Sequence, residues 1–566
     1  LEELQNNDRL YYLHRVAGMD FLPELENNTF ANLIMANTDT THLPGLVFKA
    51  ADYILEVDQT KQFNQSVIPG PDGILGTADD LPANADPVGI GTNPLIPLVI
   101  RDNPDTPGPD TNYLRFSGDL RPAAVFGGPS PTGFQTPLAA AVLGGTPGND
   151  IIIGGDSSED TLYGDAGNDY LDGGQGDDDL FGGPGDDILI GGGGDDVLHG
   201  EEGNDVLIGG AGTNINVGGP GKDFIVSGTD LSKTFAGDGD DFILVDAKDP
   251  KVLPGYGSDW IEGSAGDMFG DTGDPLRRDL GNGDDVFVPG GFGDIVMTGE
   301  GGDDIFLASG AAGERFKGNS GFDWASFKNP IVQPNVGVVE DSQVRQLDFP
   351  ETVNAEILTR YKNVEGLSGS LHNDFIRGDE ETAAQIAIGG ILGSALTRPD
   401  GITGLRAFLG TAFAGPDGIL GTADDKFDGG NIVLGGDGSD ILEGRGGDDL
   451  LDGDMWLNAR ISVRQNLDGT GPEIASFDSM KPLQKFMADG TYNPGQLVTV
   501  RELMPGHAGF DTALYRDVAA NYTIATDAAT GVITVTHSVP STGAGGLGKL
   551  SDGTDRLTHI ERLQFA

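Results

Sequence analysis

Small, acidic and aliphatic residues return in the same phase every nine positions between residues 155 and 226. Each unit begins with glycine, and all units but one carry an acidic residue at the sixth position, where the exception is Asn214, and an aliphatic residue at the eighth. The first six residues hold too much glycine for regular structure and must turn, so the last three are left to form a short strand. The aliphatic positions are Leu162, Leu171, Leu180, Leu189, Leu198, Leu207 and Ile225, and only Asn216 departs from them.

Two units make a coil of eighteen residues with one strand on each side. Stacked coils align the aliphatic residues into a continuous apolar core, and no coil could bury its apolar face alone. A flexible linker would not keep leucine in phase over eight units. The pattern therefore predicts a mainly β fold, a right-handed parallel β-roll of calcium-binding nonapeptide repeats. We expect β-capping modules and a short helical N-terminal segment to accompany it.

The glycine-rich turns offer oxygen ligands to a metal ion. Calcium takes six to eight oxygens from carboxylates and backbone carbonyls, and turns on one side of the roll recur every eighteen residues. An ion could then bind between two successive turns. A weakened site is expected at Asn214, and the side that carries Ser232 and Pro250 is expected to lose its ions. The predicted ligands of this type are Asp150, Asp160, Asp169, Asp178, Asp187, Asp196, Asp205, Asp223, Asp241, Asp259, Asp285, Asp304, Asp440 and Asp449.

A second motif, GPDGILGTADD, occurs at residues 70–80 and is repeated letter for letter at residues 415–425. Its carboxylates stand among glycines at loop spacing, which suggests a second kind of calcium loop. A recurring turn without metal is the alternative. The candidate ligands in the two copies are Asp72, Asp79, Asp80, Asp417, Asp424 and Asp425.

A looser duplication pairs residues 321–325 with residues 509–513, and each copy is followed about fifty residues later by a glutamate, Glu365 or Glu561. We expect each copy to form a small β module that covers an open end of a roll, where strand edges would otherwise be exposed.

Composition limits the kinds of molecule and metal site that the chain can be expected to bind. The 566 residues include 89 acidic and 33 basic side chains, for a net charge of −56, which argues against nucleic acid and anionic membranes. The absence of cysteine excludes disulfides and thiolate sites. No run of eighteen apolar residues is present, so membrane insertion is not expected. The first residue is Leu1, and we expect the sequence to be a piece of a longer protein.

The chain divides into seven segments by composition. Residues 1–60 carry apolar residues at helical spacing. The predicted segments are a helical tail (1–60), a loop-rich connection (61–140), the main roll (141–309), a β excursion or capping module (310–378), an insert with weak helices (379–428), a short second roll (429–454) and a C-terminal β module (455–566).

The nonapeptides of residues 140–310 and 429–454 resemble those of RTX (hemolysin-type) calcium-binding proteins. This resemblance implies export by a type I secretion system from a Gram-negative bacterium, with folding outside the cell on external calcium. The expected location is therefore extracellular or on the cell surface.

Two N-terminal stretches, residues 8–12 and 25–38, are similar to the last helices of animal-type haem peroxidases. The resemblance implies an upstream peroxidase-type domain as partner, with haem and its histidine and arginine residues in that domain. We therefore expect no catalytic and no cofactor-binding residue in this chain. Surface or packing roles are expected for its seven histidines, and His14 with Arg15 is the pair to compare with a haem edge.

Other catalytic motifs are missing: there is no H-E-x-x-H, no G-x-S-x-G and no P-loop ending. The leading hypothesis is a calcium-binding section that supports or displays domains of a larger secreted peroxidase. The first alternative is a structural surface subunit of an S-layer, filament or adhesin, for which copies of the chain itself would be the partners. The second is an enzyme with an unrecognised active site within this chain.

Overall fold

A computed structural model gives the architecture of the chain. It describes residues 67–68, 81–82, 98–101, 141–144, 148–154, 160–230, 232–245, 251–263, 283–290, 296–299, 301–308, 314–318, 321–328, 343–344, 359–378, 386, 395–540 and 551–566. The predicted N-terminal helices and Asp72, Asp79 and Asp80 lie outside the described residues. The described residues are mainly strand and turn and form a parallel β-solenoid, which confirms the predicted β-roll.

The chain separates into two compact units, and residues 1–237 with 486–494 form the first. Its strands are β1 (Val67–Ile68), β2 (Leu81–Pro82), β3 (Leu98–Arg101), β4 (Ala141–Gly144), β5 (Ile151–Ile153), β6 (Thr161–Tyr163), β7 (Tyr170–Gln175), β8 (Asp179–Phe181), β9 (Ile188–Gly193), β10 (Val197–His199), β11 (Val206–Ala211), β12 (Ile215–Pro220), β13 (Phe224–Val226) and β14 (Lys233–Asp238).

Alternate strands of the first unit belong to opposite sheets, as a coil with two strands requires. One sheet runs β5-β7-β9-β11-β13 and the other runs β3-β4-β6-β8-β10-β12-β14, while β1 and β2 form an antiparallel pair. The register places Leu189 opposite Leu171 and Leu207. These leucines are completely buried. Burying each such side chain contributes roughly 1.5–3 kcal/mol, so the column of leucines supplies the core.

The eighth position of the repeat, which forms the apolar column, is occupied by a polar residue in one coil of this unit. Asn216 pairs with Leu198 and is completely buried. Its Nδ2 donates to the carbonyl oxygen of Ser227 at 3.0 Å. That bond compensates part of the cost of placing an amide in the apolar column.

The second unit comprises residues 238–485 and 495–566. Its strands are β15 (Phe242–Val245), β16 (Lys251–Tyr256), β17 (Trp260–Gly263), β18 (Val286–Val288), β19 (Val296–Thr298), β20 (Ile305–Leu307), β21 (Glu314–Lys317), β22 (Trp324–Ser326), β23 (Gln343–Val344), β24 (Thr359–Lys362), β25 (Gly366–Ser368), β26 (Phe375–Arg377), β27 (Ile432–Leu434), β28 (Ile441–Glu443), β29 (Leu450–Asp452), β30 (Met455–Arg464), β31 (Glu473–Phe477), β32 (Leu497–Pro505), β33 (Thr512–Tyr515), β34 (Tyr522–Thr526), β35 (Ile533–His537), β36 (Thr554–Thr558) and β37 (Arg562–Phe565).

Helices are few and short in the part of the chain that the structure describes. The α-helices are α1 (Leu405–Leu409) and α2 (Gln484–Ala488), and the 3-10 helices span Pro399–Gly401, Gly410–Phe413, Pro494–Gln496 and Ala519–Asn521.

One long sheet of the second unit runs β15-β17-β18-β20-β22-β25-β27-β29-β36-β35-β34. Its strands are parallel as far as β36, and β35 and β34 close it as an antiparallel hairpin. Two further sheets run β19-β21-β24 and β23-β26-β28-β33-β37. Strands β22, β25 and β27 pair directly although residues 310–378 lose the nine-residue period, because the extra residues are inserted between strands.

A three-stranded antiparallel sheet, β31-β30-β32, packs on the solenoid within the second unit. Ser326 Oγ donates to the carbonyl oxygen of Leu457 at 3.0 Å, and Leu457 N donates to Ser368 Oγ at 2.9 Å. Lys328 Nζ donates to the carbonyl oxygen of Ala459 at 2.9 Å. The predicted C-terminal β module (455–566) includes these three strands, but their packing on the solenoid is not predicted from the sequence. The sequence feature that indicates a covering layer is an apolar residue beside the eighth position of the repeat. Trp324 is such a residue, and it is completely buried.

Glycine at the second position of a turn is required by the stacking of coils. Gly183 has a φ of +102°, and a methyl group on it would lie 1.8 Å from the carbonyl oxygen of Asp165. The turn therefore excludes a side chain for two reasons, the left-handed backbone and the coil beneath it.

We predict that Gly183→Ala destabilises the calcium-loaded chain by about 2–4 kcal/mol, since overpacking adds to left-handed strain. Gly531→Ala is the control, because Gly531 has a φ of +79° and open space around it. That control should cost about 1 kcal/mol, the left-handed penalty alone. Thermal unfolding in saturating calcium measures both, and equal losses would contradict the stacking argument.

Candidate metal sites

The sixth-position carboxylates join successive coils. The backbone N–H of Asp169 donates to Asp187 Oδ1 at 2.7 Å, and that of Asp187 donates to Asp205 Oδ1 at 2.8 Å. On the other side of the first unit, Asp178 N donates to Asp196 Oδ1 at 2.9 Å. The same bond recurs in the second unit, where Asp304 N donates to an aspartate nineteen residues later. One carboxylate oxygen of each residue is thus committed to the backbone.

The other oxygen, Oδ2, is buried without a hydrogen-bond partner in a set of these aspartates. The set comprises Asp178, Asp187, Asp196, Asp205, Asp259, Asp304, Asp440 and Asp511. A methyl group on Gly191 would lie 2.5 Å from Asp196 Oδ2 and 2.7 Å from the carbonyl oxygen of Gly209. Oδ2 therefore lies beside a carbonyl oxygen of the following coil, in a space that a side chain cannot enter.

Burial makes these carboxylates hold protons tightly in the absence of a metal. Desolvation, partly opposed by the backbone N–H that each accepts, raises the pKa of Asp178 to about 9 and that of Asp205 to about 8. The pKa of Asp187 rises to about 7 and that of Asp440 to about 8 for the same reason. At neutral pH such groups need either a proton or another cation.

Calcium fits this set of oxygens. Carboxylate and carbonyl oxygens are the ligands that a hard divalent cation prefers. Across the described residues, no three histidine, cysteine, aspartate or glutamate side chains converge in a metal cluster. A site that takes many of its ligands from backbone carbonyls does not need such a cluster. The residues that would hold the ion are the sixth-position aspartates with the turn carbonyls beside them.

All sixth-position residues predicted as ligands lie at buried turn positions. Their side chains are at most 9% exposed, and Asp285 is the most exposed of them. The first unit contains Asp150, Asp160, Asp169, Asp178, Asp187, Asp196, Asp205 and Asp223, and the second contains Asp241, Asp259, Asp285, Asp304, Asp440 and Asp449.

The bonds between sixth-position carboxylates and the backbone of the previous coil form a ladder along the solenoid. Two contacts that continue this ladder were not predicted from the sequence. Asp323 N donates to Glu365 Oε2 at 2.9 Å, and Asp511 N donates to Glu561 Oε2 at 2.7 Å. The signal was the duplication at residues 321–325 and 509–513, where glutamate takes the place of the next aspartate. The first copy lies within the long sheet, because β22 and β25 pair and continue into β27.

A second ladder at the fifth position was also missed. Asp186 N donates to Asn168 Oδ1 at 3.1 Å, and Asn204 N donates to Asp186 Oδ1 at 2.9 Å. Here the side chain belongs to the earlier coil, whereas at the sixth position it belongs to the later one. The sequence signal is the column of aspartate and asparagine that precedes the sixth position.

Two arginines bring positive charge to the turns of the second unit. Arg398 Nη2 lies 2.5 Å from Asp284 Oδ1, and Arg501 Nη1 lies 3.4 Å from Asp284 Oδ2. Burial raises the pKa of Asp303, while the backbone N–H of Phe322 and the two arginines oppose that rise. The chain itself thus neutralises part of the acidic charge at these coils.

The GPDGILGTADD loop at residues 415–425 gathers its carboxylates around one hydroxyl. Thr422 Oγ1 lies 2.8 Å from Asp424 Oδ1, 3.3 Å from Asp425 Oδ1 and 3.5 Å from Asp417 Oδ1. The hydrogen bond from Thr422 lowers the pKa of Asp424. The loop is exposed, and its role as a calcium loop stays a prediction.

Two substitutions at Asp187 should separate its two contacts. Asp187→Asn keeps an oxygen for the N–H of Asp169 but replaces the Oδ2 ligand, so calcium affinity should fall while the coil still forms. Asp187→Ala loses both and should also destabilise the coil by about 1–3 kcal/mol, since a buried N–H is left unsatisfied. Calcium titration calorimetry and thermal unfolding measure the two effects.

Asp195→Asn is the control, because Asp195 is exposed at a fifth position and uses Oδ1 for the N–H of Thr213. It should leave calcium affinity within about twofold of the wild type, in keeping with a small surface effect. An unchanged titration for Asp187→Asn would show that Oδ2 is not a ligand.

Comparison with known families identifies the repeats. The RTX calcium-binding nonapeptide repeat family, whose model spans four copies, matches residues 144–180, 155–189, 181–215, 190–225 and 427–455. A search of curated proteins finds no match to the chain. Among the described residues, no helix is long and apolar enough to cross a membrane. Residues 144–225 and 427–455 are therefore RTX calcium-binding repeats.

Proposed function

We propose that the chain is the calcium-folded section of a secreted protein, which folds outside the cell and supports or displays neighbouring domains. The observation that carries the proposal is the buried Oδ2 atom that lacks a hydrogen-bond partner, repeated from coil to coil in matched RTX repeats. RTX repeats are typical of secreted proteins.

Charge explains why folding should require the ion. Burial raises the pKa of Asp178 most, and the negative charges of Asp160 and Asp196 on the neighbouring coils raise it further. A divalent cation between the coils removes that repulsion and binds only the stacked form. Repeated, individually weak sites suit the millimolar calcium found outside cells. Inside a cell, at low calcium, the same chain would remain unfolded and suited to export by a type I system.

The proposal extends to the parent protein. The peroxidase-like stretches at residues 8–12 and 25–38 support an upstream haem peroxidase domain as the domain that the solenoid holds. These stretches lie outside the described residues, so their support comes from the sequence alone. In this proposal the haem and the catalytic residues belong to the upstream domain, and the solenoid contributes folding and display.

Chelation tests the calcium-dependent fold. With excess EGTA at neutral pH, far-UV circular dichroism should lose its β signal, and calcium should restore it. Magnesium is the control ion, because it is smaller, keeps its water and should restore the signal poorly. A chain that keeps its full β signal in EGTA would overturn the proposal.

Absorbance of the full-length parent tests the peroxidase part. The purified parent should show a haem Soret band, and a fragment limited to residues 141–566 should show none. A parent without the band after haem reconstitution would leave the calcium fold intact and contradict the peroxidase assignment.

A further inference from the structure

Asn214 and Ser232 keep one of the two contacts made by a sixth-position aspartate, the side-chain oxygen that accepts a backbone N–H of the previous coil. Asp196 N donates to Asn214 Oδ1 at 2.9 Å, and Asn214 N donates to Ser232 Oγ at 3.0 Å. Asn214 is completely buried and Ser232 is 1% exposed. The oxygen that joins each coil to the previous one is therefore retained at both turns, although neither residue is acidic.

The second carboxylate oxygen of the arrangement, Oδ2, is replaced at Asn214 by a hydrogen-bond donor. A methyl group on Gly209 would lie 2.9 Å from Asn214 Nδ2 and 2.6 Å from the carbonyl oxygen of Ser227. At the preceding turn, the equivalent atom beside Gly191 is Asp196 Oδ2. The N–H of Asp196 needs an acceptor and so fixes Oδ1 of the amide toward itself. Nδ2 consequently occupies the place that Oδ2 has in the neighbouring coil.

Both donors reach turn carbonyls. Asn214 Nδ2 lies 3.5 Å from the carbonyl oxygen of Gly210, and Ser232 Oγ lies 3.4 Å from that of Gly212. A calcium ion needs oxygen acceptors that face it, and an amide NH2 in that position repels a cation. The two side chains thus supply to the carbonyls what the ion supplies elsewhere.

We propose that Asn214 and Ser232 form a metal-free rung, in which protein donors take the place of calcium between two successive coils. The inference rests on the proposed calcium-dependent fold and adds a position where that dependence is interrupted. The rung carries no buried carboxylate, so it has no charge repulsion to relieve. Asn216, bonded to Ser227 in the same coil, adds a second polar link that needs no metal.

A gain of one calcium ion tests the rung. Asn214→Asp should bind one more ion than the wild type, counted by native mass spectrometry of the full chain at saturating calcium. Asn168→Asp is the matched control, because Asn168 is an exposed fifth-position residue whose Oδ1 also accepts a backbone N–H. The control should bind the same number of ions as the wild type. Equal counts for Asn214→Asp and the wild type would overturn the proposal.

Hydrogen exchange of the wild-type chain gives a second measurement that does not depend on a variant folding. During stepwise EGTA titration, the amide of Lys233, which donates to Asn214 across the metal-free rung, should exchange at least about tenfold more slowly than those of Ile215, Asp179 and Val197. All four donate to sixth-position carbonyls, at 2.8 Å each. Equal exchange would overturn the metal-free rung. A wild-type chain that binds no calcium would instead overturn the proposed function.

Discussion

Burial of a carboxylate at successive turns, interrupted at Asn214 and Ser232, is the interaction on which the rest of the solenoid depends. One oxygen of Asp187 receives the N–H of Asp169, and the other is buried without a hydrogen-bond partner. The first contact positions the coils, and in the proposed function the second makes their stacking depend on a cation. A single residue type therefore couples geometry to solvent composition, because aspartate has one oxygen for each purpose.

The glycine and leucine positions of the repeat allow that carboxylate to lie buried between stacked coils. Glycine at Gly191 and Gly183 leaves no side chain between coils, and the leucines supply the apolar column that holds the strands in register. The fifth-position ladder runs in the opposite direction, so adjacent coils exchange side-chain bonds both ways. Because these bonds and the leucine contacts each join one coil to the next, the stability of the fold comes from contacts between neighbouring coils.

The sequence predicted the features that repeat and missed those that do not. The phase of the leucines was enough for the coil, the parallel pairing and the buried sixth position, since each follows from neighbours in sequence. The packing of the β31-β30-β32 layer on the solenoid could not be predicted, because Ser326 meets Leu457 across 131 residues and no period links them. Glu365 was missed for a related reason: the contact with Asp323 is made by a different residue type after a gap of 42 residues.

The spacing between rungs shows how the fold accommodates extra chain. The residues joined by a ladder bond are 18 apart at Asp187 and Asp205, 66 apart at Asp374 and Asp440, and 106 apart at Asp449 and Asp555. Loop-closure entropy grows only with the logarithm of length, so passing from 18 to 106 residues costs about 1.6 kcal/mol. The loop-closure cost of placing an entire folded insert between two rungs is therefore comparable to the roughly 1.5–3 kcal/mol that burial of one leucine contributes. Turns of the second unit are natural places for this chain to gain new surface during evolution.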